Sequence, residues 1–289
     1  MMSQALSRSG TRRSDPLLPV LALAAALGLT QIGCATARGS SASGEPHASA
    51  PGAHAELSER TDAQQRARMH YEVALDRMKT GRNPEAIGEL LMAVRLDPNE
   101  ENLRLALAEA FRRSGRIADT ETHLLAALQI DPNFHAARFN LAALYIEQER
   151  YQEALVETQR LLADPTFPRP WRALTNAGWA EYKLSRLGEA AAHLQLALDY
   201  KEDYWPARLN LGILEAERGN RAEAAAHFER VLEIPSGPYA EAEARYRLAE
   251  LYLAMGDRRG AIAQLSKAST LRPSGPWGKR SAEALQSLQ

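Results

Sequence analysis

The chain of 289 residues is 45% hydrophobic and 25% charged, which suits one large or two small folded domains and excludes a disordered polymer or a bundle of membrane spans. Its formal net charge of -1, with both signs mixed along the length, leaves no basic face for nucleic acid, and a lone cysteine excludes an intrachain disulfide or a thiolate metal cluster. Alanine and leucine dominate without the valine and isoleucine alternation of strands, so the expected fold class is all-α.

The first segment places Arg8, Arg12 and Arg13 before an apolar stretch from Leu17 to Leu29, followed by Thr30, Gln31, Ile32, Gly33 and Cys34. A cationic start, an apolar middle too short for a comfortable span and small residues at its end are the layout of an export signal, assigned here to residues 1–33. The layout resembles bacterial lipoprotein signals, whose peptidase cuts before a cysteine that carries diacylglycerol. That resemblance implies that Cys34 is lipidated and becomes the mature N-terminus. Gln31 departs from the pattern, which takes an aliphatic residue three before the cysteine. An uncleaved helical anchor, or a plain signal with an incidental cysteine, are the other readings. Thr11-Arg12-Arg13-Ser14 is similar to a twin-arginine signal, but Asp15 and Pro16 stand where that pattern has an apolar pair. Residues 34–58, rich in alanine, serine, glycine and proline, cannot bury enough surface to fold and read as a flexible tether. Random-coil scaling gives such a tether a reach on the order of 25–30 Å.

From there on the sequence repeats every 34 residues. Ala93-Val94-Arg95-Leu96-Asp97-Pro98 and Ala127-Leu128-Gln129-Ile130-Asp131-Pro132 match at that spacing, and Ala268 to Pro273 carries a related ending. Six units follow, near 67–100, 101–134, 135–168, 171–204, 205–238 and 242–275. Repeat position 8 holds Ala74, Ala108, Ala142, Gly178, Gly212 and Ala249; position 20 holds Ala86, Thr120, Ala154, Ala190, Ala224 and Ala261. Small residues recurring there match the two-helix tetratricopeptide signature, whereas a heptad bundle has no reason to restart them every 34 residues. Gly81, Gly115, Gly219 and Gly256 stand where the first helix must stop, and Glu149 and Ser185 replace them in two units, whose turns are expected to be less regular. Two connections are longer, one through Asp164-Pro165-Thr166-Phe167-Pro168-Arg169-Pro170 and one through Pro235-Ser236-Gly237-Pro238. The expected fold over 59–289 is a right-handed superhelical solenoid of six helix pairs, closed by a capping helix at 276–289.

No phosphate loop, zinc-type histidine pair or nucleophile elbow occurs, so neither catalysis, metal, cofactor nor small-molecule substrate is expected. His123, His193 and His227 all fall at repeat position 23, on successive or alternate units too far apart to share one zinc. What remains for function is the inner face of the first helices. It collects Phe139, Asn140 and Ile146, then Asn176, Trp179, Tyr182 and Lys183, then Leu209, Asn210 and Ile213, and finally Tyr246 and Leu253. Aromatic and aliphatic bulk on a face not needed between repeats suggests a groove for a protein partner. The asparagines either bond a partner's backbone or only bond neighbouring repeats.

Six such units behind a lipoprotein-type signal resemble the type IV pilus biogenesis and stability lipoproteins, the pilotins of the pilus secretin. The most specific stretch runs from Tyr151-Gln152-Glu153-Ala154 through Leu161, Asp164-Pro165-Thr166-Phe167-Pro168 and Asn176-Ala177-Gly178 to Glu189-Ala190. The resemblance implies an outer-membrane lipoprotein facing the periplasm, with secretin subunits as partners that it helps to localise and multimerise. A lipoprotein of outer-membrane protein assembly, tight-adherence pili or polysaccharide export would keep the scaffold and change the client.

Overall fold

The computed structural model describes residues 51–288. The export signal, Cys34 and the first part of the expected tether lie outside the described residues. Helix α1 (Pro51–Lys79) begins inside the segment read as tether, because the 34-residue frame marks only where a helix pairs with its partner and not where it starts.

The described residues form six antiparallel pairs and a closing helix, with no strand. After α1 come α2 (Asn83–Leu96), α3 (Glu101–Arg113), α4 (Ile117–Ile130), α5 (His135–Glu147), α6 (Tyr151–Leu162) and α7 (Pro170–Lys183). Then follow α8 (Leu187–Tyr200), α9 (Trp205–Glu217), α10 (Arg221–Glu233), α11 (Gly237–Ala254), α12 (Arg258–Leu271) and α13 (Pro276–Ser287). Each helix packs on its chain neighbours, and successive first helices touch, α7 meeting α5 and α9, and α9 meeting α11. This is the tetratricopeptide superhelix, in which each pair covers the apolar face of the next.

Close approach at positions 8 and 20 sets the geometry. Ala74, Ala108, Ala142 and Ala249 are at most 1% exposed, as are all six position-20 residues from Ala86 to Ala261. At Gly178 even a Cβ would lie 2.6 Å from Leu194 Cγ, and at Gly212 it would lie 2.6 Å from Phe228 Cε1. Thr120 is tolerated because its Oγ1 donates to the Arg116 carbonyl at 2.9 Å.

All six intra-pair turns share one conformation, contrary to the irregularity expected at Glu149 and Ser185. Those two residues take φ of 60° and 61°, beside 71° to 85° for the four glycines. The same closing bond follows, Arg150 N donating to Tyr145 O at 2.8 Å and Arg186 N to Glu181 O at 2.9 Å, as Arg116 N does to Phe111 O at 2.9 Å. Packing of the pair dictates the turn and overrides the residue's own preference. Two of the following arginines lie over the preceding aromatic ring, Arg116 over Phe111 at 4.3 Å and Arg150 over Tyr145 at 4.1 Å.

The two longer connections differ. Residues 163–169 do form a loop, in which Asp164 accepts from Thr166 and from His135 Nε2 at 2.7 Å, and Phe167 meets the His135 ring edge-on. The second is absorbed instead into helix, since α11 starts at Gly237, with Pro238 in its first turn where the missing N–H costs nothing.

Because a non-glycine residue in the left-handed region costs about 1–2 kcal/mol, Glu149→Gly and Ser185→Gly are expected to raise the melting temperature by several degrees when combined. Gly115→Ala should lower it. Thermal unfolding followed by circular dichroism reads both, and a double variant less stable than the parent would contradict the shared turn.

Candidate functional site

Because first helices stack on first helices, their inner sides form one continuous face. Between α7, α9 and α11 it dips into a depression of about 300 Å³. Trp179, Tyr182 and Lys183 form one wall, Ile213 and Glu217 the middle, and Arg247 with Glu250 the far wall. The Trp179 and Tyr182 rings lie 5.2 Å apart at 37°, with Lys183 Nζ 5.9 Å from the indole. Burial, helped by Glu217, raises the Tyr182 phenol above its ordinary pKa, so it stays a neutral hydrogen-bonding group. The depression therefore sets an aromatic wall against the Arg247–Glu250 ion pair, with Lys183 and Glu217 also in its lining, a surface suited to a side chain of a protein segment.

The residues expected to line the groove are placed at different depths. Tyr182 and Ile213 line the depression and remain partly open. Trp179 lines it too but is 7% exposed and belongs to the central core with Leu144 and Tyr145, so it is needed between repeats after all. Asn176 and Asn210 are each 6% exposed and sunk beneath the face. Ile146 and Leu209, each 1% exposed, are core residues packed among their neighbouring helices, whereas Leu253 is exposed. Phe139 is covered by the Arg172 guanidinium at 4.2 Å, and Asn140 faces a narrow gap shared with Glu109, Arg112 and Glu147. Tyr246 is half-buried against Trp277 of α13, ring centres 5.3 Å apart, so the cap ends the groove at unit six.

Two buried donors on α7 have no acceptor among the described residues, Asn176 Nδ2 and Trp179 Nε1. They stand three residues apart and hence on one helical face. Each is covered in the folded chain and lacks the partner that a buried polar group normally has.

Arg247 and Glu217 escaped the reading of the sequence. The signal was there in Arg247, which stands at repeat position 6 where units three to five carry asparagine. His193, one of the three histidines at repeat position 23, bonds through Nδ1 to Glu181 Oε2 at 2.6 Å, and Glu181 is buried. Among the described residues no three metal-capable side chains cluster.

Beneath the cap, Glu243 is 3% exposed, with Arg247 at 3.8 Å as its ion-pair partner. Burial outweighs Arg247 and pushes the carboxyl up to about 7.

Comparison with known proteins agrees with this geometry. Tetratricopeptide repeat family models match residues 71–133, 175–241 and 209–276, and a second such model matches 111–177. The chain belongs to the tetratricopeptide repeat family, whose arrays are protein-interaction scaffolds and generally non-enzymatic. No curated protein matches the sequence. Among solved structures, PilW, described as a widely conserved type IV pilus biogenesis factor, is similar with a TM-score of 0.65 and 21% identity, over 75% of this chain and 98% of PilW. PilF of Pseudomonas aeruginosa gives 0.63 and 18%, over 78% of this chain and 99% of PilF. A thermophilic repeat protein of Thermus thermophilus gives 0.56 and 28%, over 65% of this chain and 100% of that one. At these identities the pilus proteins show a shared fold.

The unfolded chain releases the Glu243 proton near 4.5 while the folded chain holds it to about 7, so stability falls as pH rises across that window. Glu243→Gln is expected to raise the melting temperature at pH 8 by more than at pH 5. An equal shift at both would contradict the buried, proton-holding carboxyl.

Proposed function

We propose that this chain is a lipid-anchored scaffold of type IV pilus biogenesis, held at the periplasmic face of the outer membrane through Cys34. Its inner groove receives a segment of secretin subunits and helps them localise and multimerise. The observation that carries the binding half is the depression between Tyr182, Ile213 and Arg247. A partner's apolar side chain fills the depression against Tyr182 and Ile213. The pilus half is supported by the resemblance of the Asp164 to Gly178 stretch to the pilotin lipoproteins, by the lipoprotein-type signal ending at Gly33, and by a likeness in fold that spans nearly the whole of PilW.

Because Trp179 is also a core residue, the test uses its more open neighbours. Tyr182→Ala combined with Ile213→Ala is expected to keep the helical content while costing about 2 kcal/mol of binding, roughly thirtyfold in affinity for the secretin subunit. Secretin multimers then disappear from the outer membrane and pilus-dependent motility is lost. In the same fractions Cys34→Ala leaves the groove competent but releases the protein from the membrane. Normal multimers with a folded groove variant would refute the groove, and a membrane-bound Cys34→Ala protein would refute the anchor.

A further inference from the structure

In every unit after the first, repeat positions 3 and 7 are sealed by the second helix of the unit before. Leu103, Ala137, Ala173, Ala207 and Ala244 at position 3 are at most 4% exposed, and Leu107, Leu141, Ala177, Leu211 and Leu248 at position 7 at most 5%. The first unit carries Met69 and Val73 at these positions, 66% and 44% exposed. Position 10 shares that face: it is buried in Ala110, Leu144, Ala180, Leu214 and Leu251, yet in the first unit it is the exposed Asp76. At the other end of the array α13 closes the stack, whereas α1 leaves two large apolar side chains in water. Residues 35–50 hold no valine, leucine, isoleucine, methionine, phenylalanine, tyrosine or tryptophan with which to cover them.

We propose that this face docks a second copy of the chain, α1 against α1, antiparallel across a two-fold axis. Arg66, Met69, Val73 and Asp76 are spaced three, four and three residues apart, which puts them on one seam of the helix. Their order is self-complementary. With the axis at the level of Tyr71, Met69 meets the partner's Val73, and Arg66 meets the partner's Asp76. Symmetry repeats both contacts, so an apolar centre is flanked by two ion pairs, the same patch serving on each side. A parallel pairing would set arginine on arginine and aspartate on aspartate, so the charges also fix the orientation. Both charged groups are exposed and little engaged: Arg66 Nε reaches the Asp62 carbonyl only at 3.4 Å, and Arg82 approaches Asp76 only at 3.7 Å. The seam is short, so the association is weak and concentration-dependent. It leaves the groove of units four to six open in both copies, and so stands independently of the client proposed above.

Sedimentation velocity of the purified protein over a concentration series tests this. The parent should show a reversible monomer–dimer equilibrium. Arg66→Glu alone and Asp76→Arg alone should each weaken it by about tenfold or more, since reversal turns two attractions into two repulsions. The two changes combined in one chain should restore it, and Met69→Asp should abolish it, with circular dichroism verifying that each variant is folded. A parent monomeric at every concentration would overturn the proposal and hand the face to residues 1–50 or to a different protein. A dimer indifferent to the reversals, or a combined variant that fails to recover, would place the interface elsewhere.

Discussion

Two helices can pair only as closely as the residues at their crossing permit, and here that crossing is rebuilt six times from alanine and glycine, with Thr120 as the one exception. Gly178 against Leu194 and Gly212 against Phe228 leave no room for a methyl group, and Ala74, Ala108, Ala142 and Ala249 are sealed from solvent at the same position. From this closeness much else follows. The turn between the helices is forced into one left-handed conformation, even where Glu149 and Ser185 must adopt it. The pair becomes a flat unit that stacks on the next, the first helices line up along one side, and the inner face exists at all.

The same constraint explains which parts of the molecule the sequence made legible. Periodicity reports what every unit must share, so the six pairs, the cap around Trp277 and the buried small positions could be read directly. It is silent on what one unit does differently. Trp179 stands at a groove position but is large enough to reach down into the core of Leu144 and Tyr145, and only packing reveals that. Ile146 is likewise closed over by its neighbours rather than by its own repeat. The proline-containing stretch at 235–238 read as a loop because it lengthens the period, yet proline in a first helical turn is as compatible with extra helix as with none. Arg247 was hidden by its class, a charged residue where the units before it place an amide.

A scaffold of this kind binds through what its repeats do not need. The depression near Ile213 and the donors of Asn176 and Trp179 are departures from a self-satisfied array, and so is the seam of Met69 and Val73 on the first helix. The depression lies between α7, α9 and α11, and the seam on α1. A stack built this way can hold a client in its groove while its first helix engages another copy, with the array fixing the distance between the two.

The most direct test of the founding constraint compares two glycines by the smallest possible change. Alanine is a better helix former than glycine by about 0.8–1.0 kcal/mol, so propensity alone favours both substitutions. Gly88 on α2 has nothing within 4 Å of a Cβ, whereas at Gly212 the added atom would meet Phe228 at 2.6 Å. Thermal unfolding should show Gly88→Ala as stable as the parent or more so, and Gly212→Ala clearly less stable. Equal gains at both positions would contradict the account, because the pairs would then not be held at the distance that everything else requires.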